Sequence, residues 1–154
     1  MTRYISMLKQ TRQHLVGILD GLSTDELNDI PFGFNNNLVW HIGHLVASQQ
    51  GICYKRAGIP MNIDDAVFET YKPGTKPEKY VDQQEIDSLK TSLLSAIDRF
   101  DEDYNKGIFK DYPSWTTRYG VELNNIDEAI TFLLFHEGLH LGYVMALKRL
   151  VTKQ

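Results

Sequence analysis

The chain has 154 residues, of which 42% are hydrophobic and 23% charged, with a net charge of −4. That length and balance fit one globular domain, 1–154, and exclude a disordered chain, while the acidic excess argues against nucleic acid or an anionic membrane as the main partner. A single cysteine, Cys53, allows no internal disulfide, and no signal-peptide block or run near ~18 apolar residues stands out, so the expectation is a soluble cytoplasmic protein.

The first predicted helix runs from Tyr4 to Leu22, where Ile5, Leu8, Leu15, Ile18, Leu19 and Leu22 recur at helical spacing. His14 lies within it and reads as a core histidine. Ser23-Thr24-Asp25-Glu26 is a capping-box pattern that opens one short helical turn before Pro31. Asn36 or Asn37 caps a second helix from about Leu38 to Arg56, which stops at Gly58-Ile59-Pro60. Met61 to Val81 shows no clear period and carries the turn signals Lys72-Pro73-Gly74 and Lys76-Pro77. Connections of that length are often functional. A third helix spans about Gln83 to Tyr104, capped near Asp82, with Ile86, Leu89, Leu93, Leu94, Ile97 and Phe100 as its stripe. Gly107 to Asn124 is irregular, with a short extended piece at Thr116–Tyr119. The fourth helix covers Ile126 to Leu150. Asn124 or Asn125 caps it, Asp127 and Glu128 lie in its first turn, and Lys148 and Arg149 lie near its other end. Apolar side chains cover most of its circumference, which predicts a central, buried helix. Four long helices in one chain of this size make a four-helix bundle, all-α, and the short first link makes helices one and two antiparallel.

The chemistry rests on five histidines. His41 and His44 are three apart on the second helix. His136 and His140 are four apart on the fourth, about 40° from one another around its axis. Two such clusters on neighbouring helices of a bundle point to a divalent metal site facing the interior. One ligand from the second helix and two from the fourth is the simplest count, which selects His44, His136 and His140. His41, rotated about 60° from His44, becomes a supporting partner or pocket wall. Three histidines leave positions open for water or substrate, as catalytic sites do. Cys53 lies nine residues beyond His44, about 180° around the helix, and cannot be a fourth ligand. Zinc or nickel suits imidazole ligands best, with iron or manganese as other choices.

His136-Glu137-x-x-His140 also matches the zinc-peptidase pattern with Glu137 as general base. Those enzymes need a further ligand downstream, and none of the 14 residues after His140 is His, Asp or Glu, which argues against a peptidase. Glu137 is nonetheless a candidate base, or a carboxylate behind the ligands. On the face of the fourth helix opposite the histidines, Gly138 and Gly142 form a smooth groove among Thr131, Phe135, Met145 and Arg149. A glycine costs ~1 kcal/mol against alanine in a helix, which usually has a packing reason. Either another helix of the bundle approaches there, the first being the natural choice, or the groove is a two-fold seam.

Asn36-Asn37-Leu38-x-Trp40-x-x-Gly43-His44-Leu45 and His136-Glu137-x-x-His140-x-Gly142 together resemble the DinB/YfiT-like superfamily. Lys72-Pro73-Gly74-Thr75-Lys76-Pro77 and Thr117-Arg118-Tyr119-Gly120 fit less specifically. The resemblance implies a four-helix bundle with up-down-down-up connectivity and a long crossover between the second and third helices. It implies a divalent metal on His44, His136 and His140, with Trp40, Asn37, His41 and Tyr143 around the pocket, and a homodimer. His41 stands where such proteins more often have asparagine. Characterised relatives include S-transferases that use bacillithiol, mycothiol or glutathione, a mycothiol-dependent isomerase and a metal-dependent hydrolase. The implied function is therefore activation of a low-molecular-weight thiol or of water toward a small substrate, the thiol being stabilised as thiolate beside the cation. The other implied reading is a non-catalytic metal-binding or stress-response protein. The Met61–Val81 loop and Thr116–Tyr119 are the expected pocket walls.

Overall fold

The computed structural model describes residues 2–152. Its elements run α1 (Thr2–Leu19), α2 (Thr24–Asn28), α3 (Leu38–Gln49), a π-helical continuation (Gln50–Lys55), α4 (Asp65–Tyr71), α5 (Gln83–Asn105), β1 (Trp115–Thr116), β2 (Glu122–Leu123) and α6 (Ile126–Val151). Local side chains set the starts. Ser23 and Glu26 form the capping box of α2, while Asn37, Asp82 and Asn125 accept the orphan amides of Trp40, Glu85 and Glu128.

Cross-helix bonds fix the directions of the four long helices. Lys9 reaches Asp98 and Arg12 reaches the Leu93 carbonyl, so α1 and α5 are antiparallel. Arg12 meets Glu137, and Lys148 meets the Ile18 carbonyl, so α1 and α6 run the same way. Gln49 contacts Ala96 and Tyr54 contacts Asp103, so α3 and its continuation run with α5. The bundle is up-down-down-up, as the resemblance implied.

The core is in two parts. One gathers Leu15, Leu19, Leu38, Leu45, Leu93, Val144 and Leu147, and the other Leu8, Tyr54, Phe100, Phe109, Ile130 and Leu133. Between them lies a buried polar layer. Arg12, fully buried, donates from Nε and Nη2 to the Glu137 carboxylate at 2.6–3.2 Å, and from Nη1 to Gln49 Oε1 (3.1 Å) and the Leu93 carbonyl (2.8 Å).

Several expectations change. The central helix is α3, every residue of which is buried, and not α6. Polar His41, His44, Ser48 and Gln49 dilute the apolar signal of α3, although all four are packed between neighbouring helices. α6 is long and apolar enough to cross a bilayer by length and composition, a match the search for an unbroken apolar run passes over. Here it packs on α1 and α3, and its outer face leaves Phe135, Leu139, Tyr143 and Met145 exposed. A Cβ added at Gly138 or Gly142 would meet nothing within 4 Å, so among the described residues no helix fills that groove. His14 is exposed on α1 and not a core residue. α1 ends at Leu19, ahead of Gly21 in the left-handed region (φ 83°). The second helix changes to π geometry at Gln50, and Arg56 bonds back to the Gly51 carbonyl. The Met61–Val81 connection contains α4, which presses Tyr71 onto α3 at Gly43 and Phe68 onto the π-helical continuation at Gly51, where the glycines leave room.

Candidate metal centre

The site forms where α3 and α6 cross. His44 comes from α3 and His136 and His140 from α6, and one imidazole nitrogen of each lies within 4.8 Å of the others. This group could hold a metal ion. Antiparallel packing makes the juxtaposition: the i, i+4 pair on α6 presents two rings together, and α3 brings one across from the opposite direction.

Hydrogen bonds orient the rings. His44 Nδ1 donates to the Tyr71 carbonyl (2.8 Å), so Nε2 carries the lone pair, and the Ser48 hydroxyl donates to it at 3.1 Å. Fixing one ring nitrogen on a backbone carbonyl is how metal-binding histidines are commonly held, and a cation on Nε2 would take the place of the Ser48 hydroxyl. His41 Nδ1 lies 2.8 Å from His140 Nδ1. If His140 is the donor in that contact, its Nε2 is left free for a cation. His136 Nδ1 is buried with no hydrogen-bond partner, an orphan that the fold otherwise leaves uncompensated. Trp40 stacks on His44 with centroids 4.4 Å apart, and Tyr143 stacks on His41 at 5.8 Å.

Burial sets the protonation states. It depresses the basicity of all four imidazoles, and neighbouring positive charge adds to it: His41 and His136 are pushed down to about 4, His140 to about 2, and His44 in the same direction. At neutral pH the rings are uncharged, the form that ligates metals. The donor set and its protonation therefore fit a divalent cation.

The rings open into a cavity of about 1150 Å³. Trp40, His41 and Tyr143 line it, as do Phe68, Pro73 and Gly74 from the long connection and Trp115–Tyr119 from the β1–β2 hairpin. Two expected site residues lie elsewhere. Asn37 is buried as the α3 cap, accepting from the Trp40 amide and donating to the Asn28 carbonyl, and does not line this cavity. Glu137 does not line it either. Its carboxylate is buried against Arg12, which occupies the oxygens a general base would need, so the base role considered for Glu137 is corrected to a structural ion pair.

Sequence reading missed Arg12, Ser48 and Tyr71. For Arg12 a signal was present: it stands in the stripe Leu8-Arg12-Leu15-Leu19, where an arginine on the buried face demands an acidic partner. For the Tyr71 carbonyl there was none, because backbone acceptors leave no mark on residue identity.

The profile of the DinB superfamily matches residues 7–144. No curated protein matches the chain.

Proposed function

The chain belongs to the DinB superfamily, and from that premise we propose that it is a metal-dependent enzyme in which His44, His136 and His140 hold one divalent cation beside a small-molecule cavity. One observation carries the reading: three neutral imidazoles converge within 4.8 Å, with no carboxylate or thiol among them, at the wall of a cavity large enough for a substrate. Zinc or nickel is the expected metal, with iron or manganese as alternatives. A cation there supplies Lewis acidity, which lowers the pKa of a low-molecular-weight thiol or a water placed next to it. The residues do the rest. The Tyr71 carbonyl holds His44 and His41 holds His140, Trp40 packs on the face of His44 and Tyr143 on that of His41, and Phe68, Pro73 and the hairpin tip line the cavity. Among the described residues no carboxylate lines the cavity, so the proton of the thiol or water would have to pass to an imidazole or to solvent water.

The exposed face of α6 away from the cavity, with Phe135 and Met145 beside the open Gly138–Gly142 groove, supports a second copy of the chain as its partner. Cytoplasmic location is part of the same reading, supported by one buried, unpaired cysteine, Cys53.

The test is turnover by the zinc- and nickel-loaded chain on an epoxide electrophile, in separate arms with bacillithiol, mycothiol, glutathione or water alone. Turnover in any arm that vanishes in His44→Ala/His136→Ala/His140→Ala supports the enzyme. Stoichiometric metal binding with no turnover in any arm favours the non-catalytic metal-binding reading.

A further inference from the structure

The charge of the cavity is opposite to that of the protein. The chain carries 20 acidic and 16 basic residues, yet the cavity is lined by Lys55, Arg56 and Arg118 and by no Asp or Glu. A cluster of exposed cations is usually a solvated surface with its counter-charges beside it. Here the counter-charges are missing. Among the described residues none of the three cations is in an ion pair, and none donates a side-chain hydrogen bond. Glu69, whose carboxylate feels Lys55, is paired with Lys72 outside the cavity.

Each of the three is instead held by an aromatic face. Arg56 lies over the Trp115 ring at 3.6 Å, Lys55 over Phe68 at 4.3 Å and Arg118 over Tyr119 at 5.5 Å. Such stacking restrains a cation from above its plane and leaves its N–H donors free. The guanidinium fork then matches the two oxygens of a carboxylate or phosphate. Lys55 ends the π-helical continuation of α3, Arg56 follows it directly and Arg118 comes from the β1–β2 hairpin, and all three line the same cavity as the histidines. The aromatic and apolar lining supplied by Trp40, Phe68, Phe132 and Leu139 offers a surface for the uncharged part of a ligand.

We propose that the cavity recognises an organic oxyanion, a small molecule whose carboxylate or phosphate is taken by Arg56 and Arg118, with Lys55 supporting, and whose apolar body lies toward the histidines. The proposal rests on the cavity being the substrate site of the proposed function, and it does not require a metal to be bound.

Matched probes test it by calorimetry on the full chain: 2-naphthoate, 2-naphthyl phosphate and the neutral 2-naphthamide, with the protein metal-free and zinc-loaded. The expected result is that at least one anion binds metal-free protein about ten-fold tighter than the amide, with a preference that shrinks as salt rises. Whichever anion binds tighter identifies the oxyanion. In Arg56→Gln/Arg118→Gln the preference falls to within about three-fold while amide binding is unchanged. Lys110→Gln, an exposed charge outside the cavity, keeps it. If that double variant loses its helical spectrum, Arg118→Gln alone, at the exposed hairpin tip, is read in its place. Equal binding of anions and amide by wild type, or an unchanged preference in the arginine variants, overturns the proposal. A zinc titration of the same samples separates this failure from failure of the metal reading, because Arg118 and Arg56 are not among the histidine ligands.

Discussion

Replacing Arg12 by methionine isolates the polar layer that divides the core. Methionine keeps much of the length and can fill the same channel, but it cannot donate. The Glu137 carboxylate is then buried without its cation, and Gln49 Oε1 and the Leu93 carbonyl each lose a donor. Removing one partner of a buried pair costs roughly 3–5 kcal/mol, because the remaining charge is left unsolvated. Against a total stability of about 5–15 kcal/mol this is a large fraction. At a urea m-value near ~2 kcal/mol/M it lowers the unfolding midpoint by roughly 2 M. The double variant Arg12→Met/Glu137→Leu removes both charges. It is expected to be more stable than Arg12→Met, since apolar replacement of a buried pair is often close to neutral and only the two orphaned acceptors remain, at about 1 kcal/mol each. Urea unfolding followed by far-UV circular dichroism measures both. An Arg12→Met protein within about 1 kcal/mol of wild type would refute the reasoning, as would a double variant less stable than the single one.

Three further outcomes follow from the same structure. A Cβ at Gly43 would sit 2.4–2.6 Å from the Tyr71 ring, so Gly43→Ala destabilises by about 1–3 kcal/mol despite its better helix propensity. It also weakens zinc binding, because the displaced tyrosine carries the carbonyl that holds His44; unchanged stability and affinity would contradict this. On acidification the unfolded chain protonates its histidines near ~6.5, while burial keeps His41 and His136 neutral to about 4 and His140 lower still. The metal-free protein therefore loses stability as pH falls from about 6.5 toward 4, and regains it as pH rises. A urea midpoint that stays flat or rises between pH 7 and pH 5 would be the wrong sign. Sedimentation should show a dimer for wild type and a folded monomer for Gly138→Leu, since a leucine there points into open space within one chain; a monomeric wild type ends the dimer reading.

What could be read from the sequence was local or periodic. The caps at Ser23, Asn37, Asp82 and Asn125 depend on residues three positions away, and the helix stripes repeat every turn, so both are written in the chain itself. The grouping of His44 with His136 and His140 followed from spacing on two helices plus the rule that bundle helices face inward. What depends on a partner from elsewhere was hidden. Glu137 is a candidate base in the sequence because it stands in the pattern His136-Glu137-x-x-His140, whereas the residue that claims its carboxylate is 125 positions away on α1. The apolar girth of α6 suggested full burial, but among the described residues it packs mainly on α1 and α3, and the face turned away from them stays exposed. α4 escaped notice because seven residues give too few turns for a period to show, although Tyr71 and Phe68 carry its contacts with α3 and the π-helical continuation.

The most direct test of the metal centre is a zinc titration of the metal-stripped full chain by calorimetry, run beside elemental analysis of zinc- and nickel-loaded samples. Wild type is expected to take up one equivalent per chain, and His44→Ala/His136→Ala/His140→Ala none, with its helical spectrum intact. Equal metal content in the two proteins would contradict the account.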